Sequence, residues 1–185
     1  MIATLASQIN ELIDLSWMEK KHALVFSNSL KIEGKAKTFP FPWGTVECND
    51  ASIATPDTRY RAVTWYEGGQ PQPVRHVEGG DIMRANMRVV CWIQCNKIGT
   101  DQLIGDKCLL NLKKELAALT LESDELKVIK ISVSGVVNDA RNILGKYNFE
   151  DKAMLLLYPY YLGAIDFSAT YIEKCSSVTV DSECS

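Results

Sequence analysis

The chain has 185 residues, of which 46% are hydrophobic and 23% are charged, and its formal net charge is −3. This length suits one globular domain with a substantial core, and the composition excludes a disordered or fibrous protein. The slight acidic excess excludes the basic footprint of a nucleic-acid reader, so we expect a protein that does not grip DNA even if it lies near it.

The sequence has neither the features of a membrane span nor those of a signal peptide. Its apolar runs stay below the roughly 18 residues that a transmembrane helix needs. The N-terminal stretch MIATLASQINELIDL contains acidic side chains and lacks a positive charge before its apolar positions, which argues against a signal peptide. We therefore expect synthesis in a cytoplasm and no contact with a membrane.

The N-terminal quarter predicts a helix followed by extended segments. Apolar residues at helical spacing over 2–16 predict an amphipathic helix. The segment 22–31, HALVFSNSLK, is expected to form a strand. The next segment, 35–45, contains two prolines at alternate positions and a glycine, which is typical of an extended edge segment or a loop.

A protruding β-hairpin arm is predicted over 60–80. Alternating aromatic and β-branched residues at 60–66, YRAVTWY, predict its first strand. EGGQPQP at 67–73 supplies a flexible tip rich in Gly and Pro, and VRHV follows as the returning strand. Such a loop on a rigid sheet is a natural place for partner contacts. The acidic residues Glu67, Glu78 and Asp81 near it are interpreted as a solvated turn rather than a cation site.

The longest predicted element is a strand over 81–96, DIMRANMRVVCWIQCN. Its residues alternate strictly, without Pro or Gly, which is typical of a long half-buried strand. The apolar face comprises Met83, Ala85, Met87, Val89, Cys91, Ile93 and Cys95. The second face comprises Arg84, Asn86, Arg88, Val90, Trp92 and Gln94. A strand of this length needs neighbours, so we expect it at the centre of a sheet.

The second half of the chain predicts one long helix and three further strands. A helix capped by Thr100 or Asp101 is expected to run to about residue 119 and to pack on the sheet. Strands are expected over 126–134, 152–158 and 162–173, with a short helical turn over 138–145 between the first two. Gly135 is expected to end the first of these strands. In the last strand, the side chains expected to face the core are those of Ile165, Phe167, Ala169 and Tyr171.

Together these elements predict an α+β fold. We expect a mostly antiparallel twisted sheet with two amphipathic helices on one face and the protruding β-hairpin arm. Residues 1–174, including the arm at 60–80, form the single expected domain. Residues 175–185 are expected to form a polar, flexible C-terminal tail.

The titratable residues predict neither a metal site nor a catalytic centre. His22 and His76 lack partners at metal-ligand spacing. Cys91 and Cys95 lie roughly 13 Å apart along one strand, beyond the limit of about 7 Å for a disulfide. Mid-strand thiols on an apolar face are poor nucleophiles, so we expect buried free thiols, no catalytic residue, no metal and no cofactor. A Cys175–Cys184 bridge in the tail stays possible.

The end of the chain, AMLLLYPYYLGAIDFSATYIEKC at 153–175, follows a long alternating strand and a helix. In this layout the sequence resembles the tail-terminator and tail-completion proteins of tailed bacteriophages, including the rings that stack between portal and tail tube. That family has an N-terminal amphipathic helix, a sheet with helices on one side, an extended β-hairpin arm and a closing strand. The corresponding segments here are 2–16, 60–80, 82–95, 100–119 and 162–173.

The resemblance implies a structural, non-enzymatic protein of the virion, made in the host cytoplasm. Copies would form a six-fold or twelve-fold ring of a head–tail connector or tail terminator, around a channel through which DNA passes without specific binding. Partners would be the neighbouring ring, portal or tail proteins. The expected subunit interface comprises Trp65, Tyr66, Gln70, Gln72, Arg75, His76, Arg84, Arg88 and Trp92.

Two other functions remain open on the sequence alone. The first is a monomeric α+β module that binds a ligand or peptide in a cleft formed by Trp65, Trp92 and Tyr171. The second is an enzyme that uses the thiol of Cys91 or Cys95, which requires a depressed pKa. The stripe of Arg84, Arg88 and Trp92 also fits stacking against nucleic acid, although the overall acidity favours a structural or interface role.

Overall fold

The computed structural model describes residues 2–42, 54–78, 80–149 and 156–174. Along these residues, five consecutive strands follow the first helix, and one further helix precedes each of the last two strands. In chain order they are α1 (Ile2–Leu12), β1 (Lys20–Ile32), β2 (Lys35–Pro42), β3 (Ala62–Gly68), β4 (Gln72–Val77), β5 (Gly80–Gln94), a 3-10 turn (Cys95–Lys97), α2 (Ile104–Ala118), β6 (Leu126–Val137), α3 (Ala140–Leu144) and β7 (Tyr160–Lys174).

The strands form one mixed, mostly antiparallel sheet in the order β2-β1-β3-β5-β7-β6, with β4 attached to β5. β1 and β3 run parallel, and the other pairs are antiparallel. The predicted α+β class with a mostly antiparallel sheet is confirmed. Within the described ranges, no helix is long and apolar enough to cross a membrane.

β5 lies at the centre of this sheet, as its alternation predicts. Along one edge it pairs with β7 over its whole length, from Gly80 opposite Lys174 to Gln94 opposite Tyr160. Along the other edge it pairs first with β4 and then with β3. The strand therefore connects both ends of the sheet, and the side chains of its two faces enter two different environments.

One face of the sheet, here called the helix-covered face, packs against α1 and α2. Leu5, Ala6 and Ile9 of α1 are buried there, and α2 adds the apolar side chains one turn apart along its inner side. Five strands of the sheet, β1, β3, β5, β6 and β7, contribute side chains to this first core, which include Leu24, Tyr66, Ala85, Met87, Val89, Cys91, Ile93, Leu126, Val128, Ile165, Phe167, Ala169 and Tyr171.

The opposite face of the sheet carries a second core over only part of its length. Trp65 and Trp92 are fully buried there, and Trp92 stacks on Tyr160 with ring centroids 4.9 Å apart. Ile143 and Leu144 of α3 pack against them in this second core. The Asp139 carboxylate caps this short helix by accepting a hydrogen bond from the Arg141 backbone N–H. A third helix thus packs on the side of the sheet away from α1 and α2.

The span 60–80 does not fold as a hairpin of its own two strands. β3 is a buried strand that pairs with both β1 and β5, whereas β4 pairs with β5 alone. The two strands therefore lie end to end along one edge of β5. Glycines 68 and 69 interrupt the side-chain alternation, and Pro71 and Pro73 lack the N–H groups that would continue the β3 ladder.

Three further expectations need correction or lie outside the described residues. Gly135 does not end β6, because it sits at a bulge and the strand continues to Val137. The expected strand over 152–158 is wrong in its described part, since Leu157 and Tyr158 are exposed in a turn. Outside the described residues lie the beginning of this expected strand at 152–155, residues 43–53 with Trp43, and the tail 175–185. The predicted edge position of 35–42 is confirmed by β2.

Candidate functional site

A row of three charged side chains crosses the sheet where the second core ends. Glu67 of β3, Arg88 of β5 and Asp166 of β7 are direct neighbours in the strand register, and we call them the charged seam. Arg88 donates to both Asp166 oxygens, with Nε–Oδ1 2.6 Å and Nη2–Oδ2 2.9 Å. These hydrogen bonds raise the pKa of the guanidinium above its ordinary value. On the other side of Asp166, the neighbouring residue in β6 is Gly135, whose lack of a side chain leaves room at that end of the row.

The Glu67 carboxylate is buried and satisfied by three donors. Lys146 Nζ lies 2.7 Å from Oε2, while Tyr147 Oη and Trp65 Nε1 donate to Oε1 at 2.7 and 3.2 Å. Burial, followed by the charge of Glu67, raises the pKa of Tyr147, so its phenol keeps the proton that it donates. The interpretation of Glu67 as part of a solvated turn is therefore wrong, because this residue fixes the segment after α3 to the sheet.

An open cleft of about 650 Å³ lies over the charged seam. Its charged lining consists of Glu67 paired with Lys146 and Arg88 paired with Asp166. Paired ions at the base of an open cleft are already neutralised, which leaves little net charge for holding a small ion. The cleft suits water and the polar groups of a larger partner.

Beyond the seam, the sheet carries polar side chains that no element covers within the described ranges. In strand register, one row runs from Asn86 through Ser168 to Ser132. The next row runs from Gln72 through Arg84 and Thr170 to Lys130. Arg75 lies in the row after that. We call this surface the open polar face, made of Gln72, Arg75, Arg84, Asn86, Lys130, Ser132, Ser168 and Thr170.

The cations of the open polar face lack carboxylate partners among the described residues. Arg84 reaches only the Ser168 hydroxyl, at 3.5 Å, and it is the one charged residue lining a shallow cleft of about 560 Å³. Lys130 and Arg84 flank Thr170 from opposite sides. An exposed cation without a partner is free to pair with a carboxylate from another molecule.

The nine residues expected at a subunit interface differ in exposure and fall into three groups. Trp65, Tyr66 and Trp92 are fully buried in the two cores, so their expected role in contacting a partner is corrected to packing. Arg88 is half-buried in the charged seam. The exposed members cluster around β4 and the adjoining part of β5, and they are Gln70, Gln72, Arg75, His76 and Arg84.

His76 differs from the other exposed members of that group. Its Nδ1 lies 2.7 Å from the Asp81 carboxylate, its direct neighbour in β5, and the pair faces away from the open polar face. Lys146 and Asn142, which hold Glu67 and Arg88, were missed by sequence reasoning. They precede β7 by many residues, and nothing in the local pattern indicates which strand they reach.

The other candidate sites do not assemble. Trp65 and Trp92 belong to the second core, whereas Tyr171 belongs to the first, so the sheet separates them and they share no cleft. Burial raises the pKa of Cys91 and of Cys95, and that of Cys108 to about 11, which keeps these thiols neutral. Within the described part of the chain, no group of His, Cys, Asp or Glu could hold a metal ion.

No family model matches this chain, and comparisons with curated proteins and with solved structures found no significant match. The chemistry of the surface is therefore the basis for assigning a function.

Proposed function

We propose that this protein is a structural, ring-forming component of a bacteriophage head–tail connector or tail terminator. The observation that carries the proposal is the asymmetric covering of the sheet. Two helices cover one face, whereas the other face has a core at one end and the open polar face at the other. A broad, polar surface on a rigid sheet is typical of an interface between subunits that fold before they associate.

The edges of the sheet support the same proposal. β4 pairs with β5 on one side only, and its residues from Gln72 to His76 are exposed. β6 is the last strand of the sheet, and its exposed Ile129 and Val136 lie beside bulges that interrupt the edge. Edges of this kind either need protection or pair with another chain.

In the proposed assembly, six or twelve copies surround a channel through which DNA passes. Their partners are copies of the same chain and the neighbouring ring, portal or tail proteins of the virion, after synthesis in the host cytoplasm. The net charge of −3 supports passage of DNA without specific binding, since phosphates are not attracted to an acidic ring.

A second candidate function is a monomeric module that binds a ligand or peptide. The cleft over the charged seam favours it, because about 650 Å³ accommodates a small polar ligand. This function predicts a stable monomer whose melting temperature rises when the ligand is added.

The deciding experiment is the native mass of the purified protein over a wide range of concentrations. Mass photometry and light scattering, with negative-stain images, should reveal closed rings at multiples of 20.7 kDa. A monomer at every concentration, together with a ligand-induced thermal shift, would contradict the ring and favour the binding module.

A further inference from the structure

We propose that copies of this chain join head to tail, with the open polar face of one copy seated on a carboxylate-lined groove beside α1 of the next. The inference rests on the proposed function and names the two surfaces that meet.

The cationic side of the contact is the open polar face. Arg84 and Lys130 occupy neighbouring positions on either side of Thr170, so their backbones lie about 10 Å apart at the usual strand spacing. Arg75 adds a third cation one row further along β5. The charged seam supplies no free carboxylate to neutralise them, because Asp166 is held by Arg88 and Glu67 by Lys146.

The anionic side is a groove of about 570 Å³ between α1, β1 and the turn before β6. Its charged lining residues are Glu11 and Glu125, and the others are Ala3, Thr4, Ser7, Gln8, Ala23 and Leu24. Hydrogen bonds between Gln8 and Ser123 join α1 to the turn, which brings the two carboxylates to one groove.

The cation that contacts the end of α1 is engaged with the helix backbone. Lys21 Nζ donates to the backbone carbonyls of Asn10 and Ile13, at 3.0 and 3.1 Å, and so satisfies the C-terminal end of the helix. Among the described residues, Glu11 forms a single exposed contact, with Ser7 at 3.4 Å. The groove therefore presents two carboxylates to a neighbouring molecule.

The two surfaces lie on opposite faces of the same sheet. α1 belongs to the helix-covered face, and its first residue, Ile2, packs against Gly68, the next residue along β3 from the charged seam. The open polar face begins at that seam on the other side. A contact between front and back cannot be two-fold symmetric. It repeats in one direction, and it closes into a ring when the rotation between copies is a whole fraction of a full turn without translation along the axis.

A second copy fits the cationic face better than nucleic acid does. Three cations without carboxylate partners among the described residues give a small patch on a chain of net charge −3, whereas nucleic-acid readers present a dense basic surface. The carboxylates of the groove are opposite in charge to this patch. Both surfaces also carry hydroxyl or amide groups that can form hydrogen bonds with each other. Exposed pairs of this type mainly set orientation and partner choice, and they weaken as salt screens them.

The test uses charge reversal on each surface of the full chain. One variant carries Arg84→Glu and Lys130→Glu, and the other carries Glu11→Lys and Glu125→Lys. The control, Lys113→Glu with Lys114→Glu, makes the same charge change as the first variant, and the opposite change to the second, on α2, where neither residue lines either surface. Circular dichroism and thermal unfolding establish that each variant folds, and mass photometry and sedimentation velocity measure assembly.

We expect each reversed variant to self-associate at least tenfold more weakly than the unaltered chain, while the control assembles normally. An equimolar mixture of the two variants should assemble again, because every contact in an alternating ring then pairs opposite charges. Combining all four substitutions in one chain should restore self-association as well.

Four outcomes would overturn the inference. Rings that persist in both reversed variants would refute these surfaces and leave the ring function standing, whereas a monomeric unaltered chain would refute both. A mixture that fails to assemble would exclude the head-to-tail pairing. If Arg84→Glu with Lys130→Glu abolished binding of a DNA duplex in a gel-shift assay without changing ring size, the open polar face would be a nucleic-acid surface instead.

Discussion

Arg88 and Asp166 face each other in direct register across β5 and β7, and their side chains form a two-pronged ion pair. Asn142 accepts a third hydrogen bond from the same guanidinium, at 2.9 Å, which connects the pair to the α3 segment. The pair thereby marks the line at which the second core ends and the open polar face begins.

Removing this pair should reveal a favourable coupling between its members. In a double-mutant cycle of Arg88→Ala and Asp166→Ala, we expect a coupling free energy of about 1 kcal/mol, because a partly buried two-pronged pair exceeds an exposed one. Urea unfolding measures the four stabilities. Arg59 and Asp57 form the control pair, since the Arg59 side chain is 80% exposed and its coupling should be smaller. Equal couplings for the two pairs would contradict this explanation.

Gly105 should be intolerant of even a methyl group. A Cβ at this buried position of α2 would overlap the ring of Tyr161, which is held from β7 with its hydroxyl donating to Asp106 at 2.7 Å. We expect Gly105→Ala to destabilise the fold by about 1–3 kcal/mol through overpacking, despite a gain in helix propensity of about 1 kcal/mol. Gly135→Ala, where a Cβ meets nothing within 4 Å, should be close to neutral in the same denaturation experiment. A more stable Gly105→Ala protein would show that α2 can shift away.

The thiols of Cys91 and Cys108 should be protected in the native protein. They are 0% and 3% exposed, and burial favours their neutral form. We expect alkylation by N-ethylmaleimide, followed by peptide mass spectrometry, to be roughly 100-fold slower at these two residues than in denaturant. Fast labelling of either thiol under native conditions would contradict this and would favour the cysteine-enzyme hypothesis.

His22 should make the fold less stable in mild acid. Burial, followed by the charge of Lys20, lowers its pKa below 6.5 in the folded state. The unfolded chain therefore binds a proton first, so the free energy of unfolding falls as the pH drops below about 6.5 and stops falling below the folded pKa. Chemical denaturation between pH 8 and pH 5 should show this loss, and His22→Gln should reduce it. Parallel pH profiles for the two proteins would contradict the assignment.

The sequence predicted the elements whose side-chain period is set by one buried face. The alternation around Met87 and Val89 identifies β5, that of Ile165 and Phe167 identifies β7, and each set packs in the first core. The partition of 60–80 was missed, because pairing depends on which stretch of β5 each strand reaches. Local propensity around Tyr66 and Val74 carries no information on that choice.

The candidate surface was predicted only in part. Gln72, Arg75 and Arg84 lie on the open polar face, whereas Trp65 and Trp92 fill a core that the sequence did not reveal. Aromatic residues on the polar side of a strand are compatible with either a contact surface or a second core. The choice depends on whether another segment covers them, and here α3 arrives from a distant part of the chain.

The end-to-end arrangement of β3 and β4 has a consequence for local opening. β3 is held by ladders on both edges, whereas β4 is held by β5 alone and contains a bulge between Pro73 and Arg75. β4 can therefore detach while β3, and with it both cores, stays in place. We expect the amides of Gln72–Val77 to exchange with deuterium through a small local fluctuation and those of Ala62–Gly68 only through global unfolding. The open polar face would then lose the side chains that β4 contributes, while the rest of the fold stays intact.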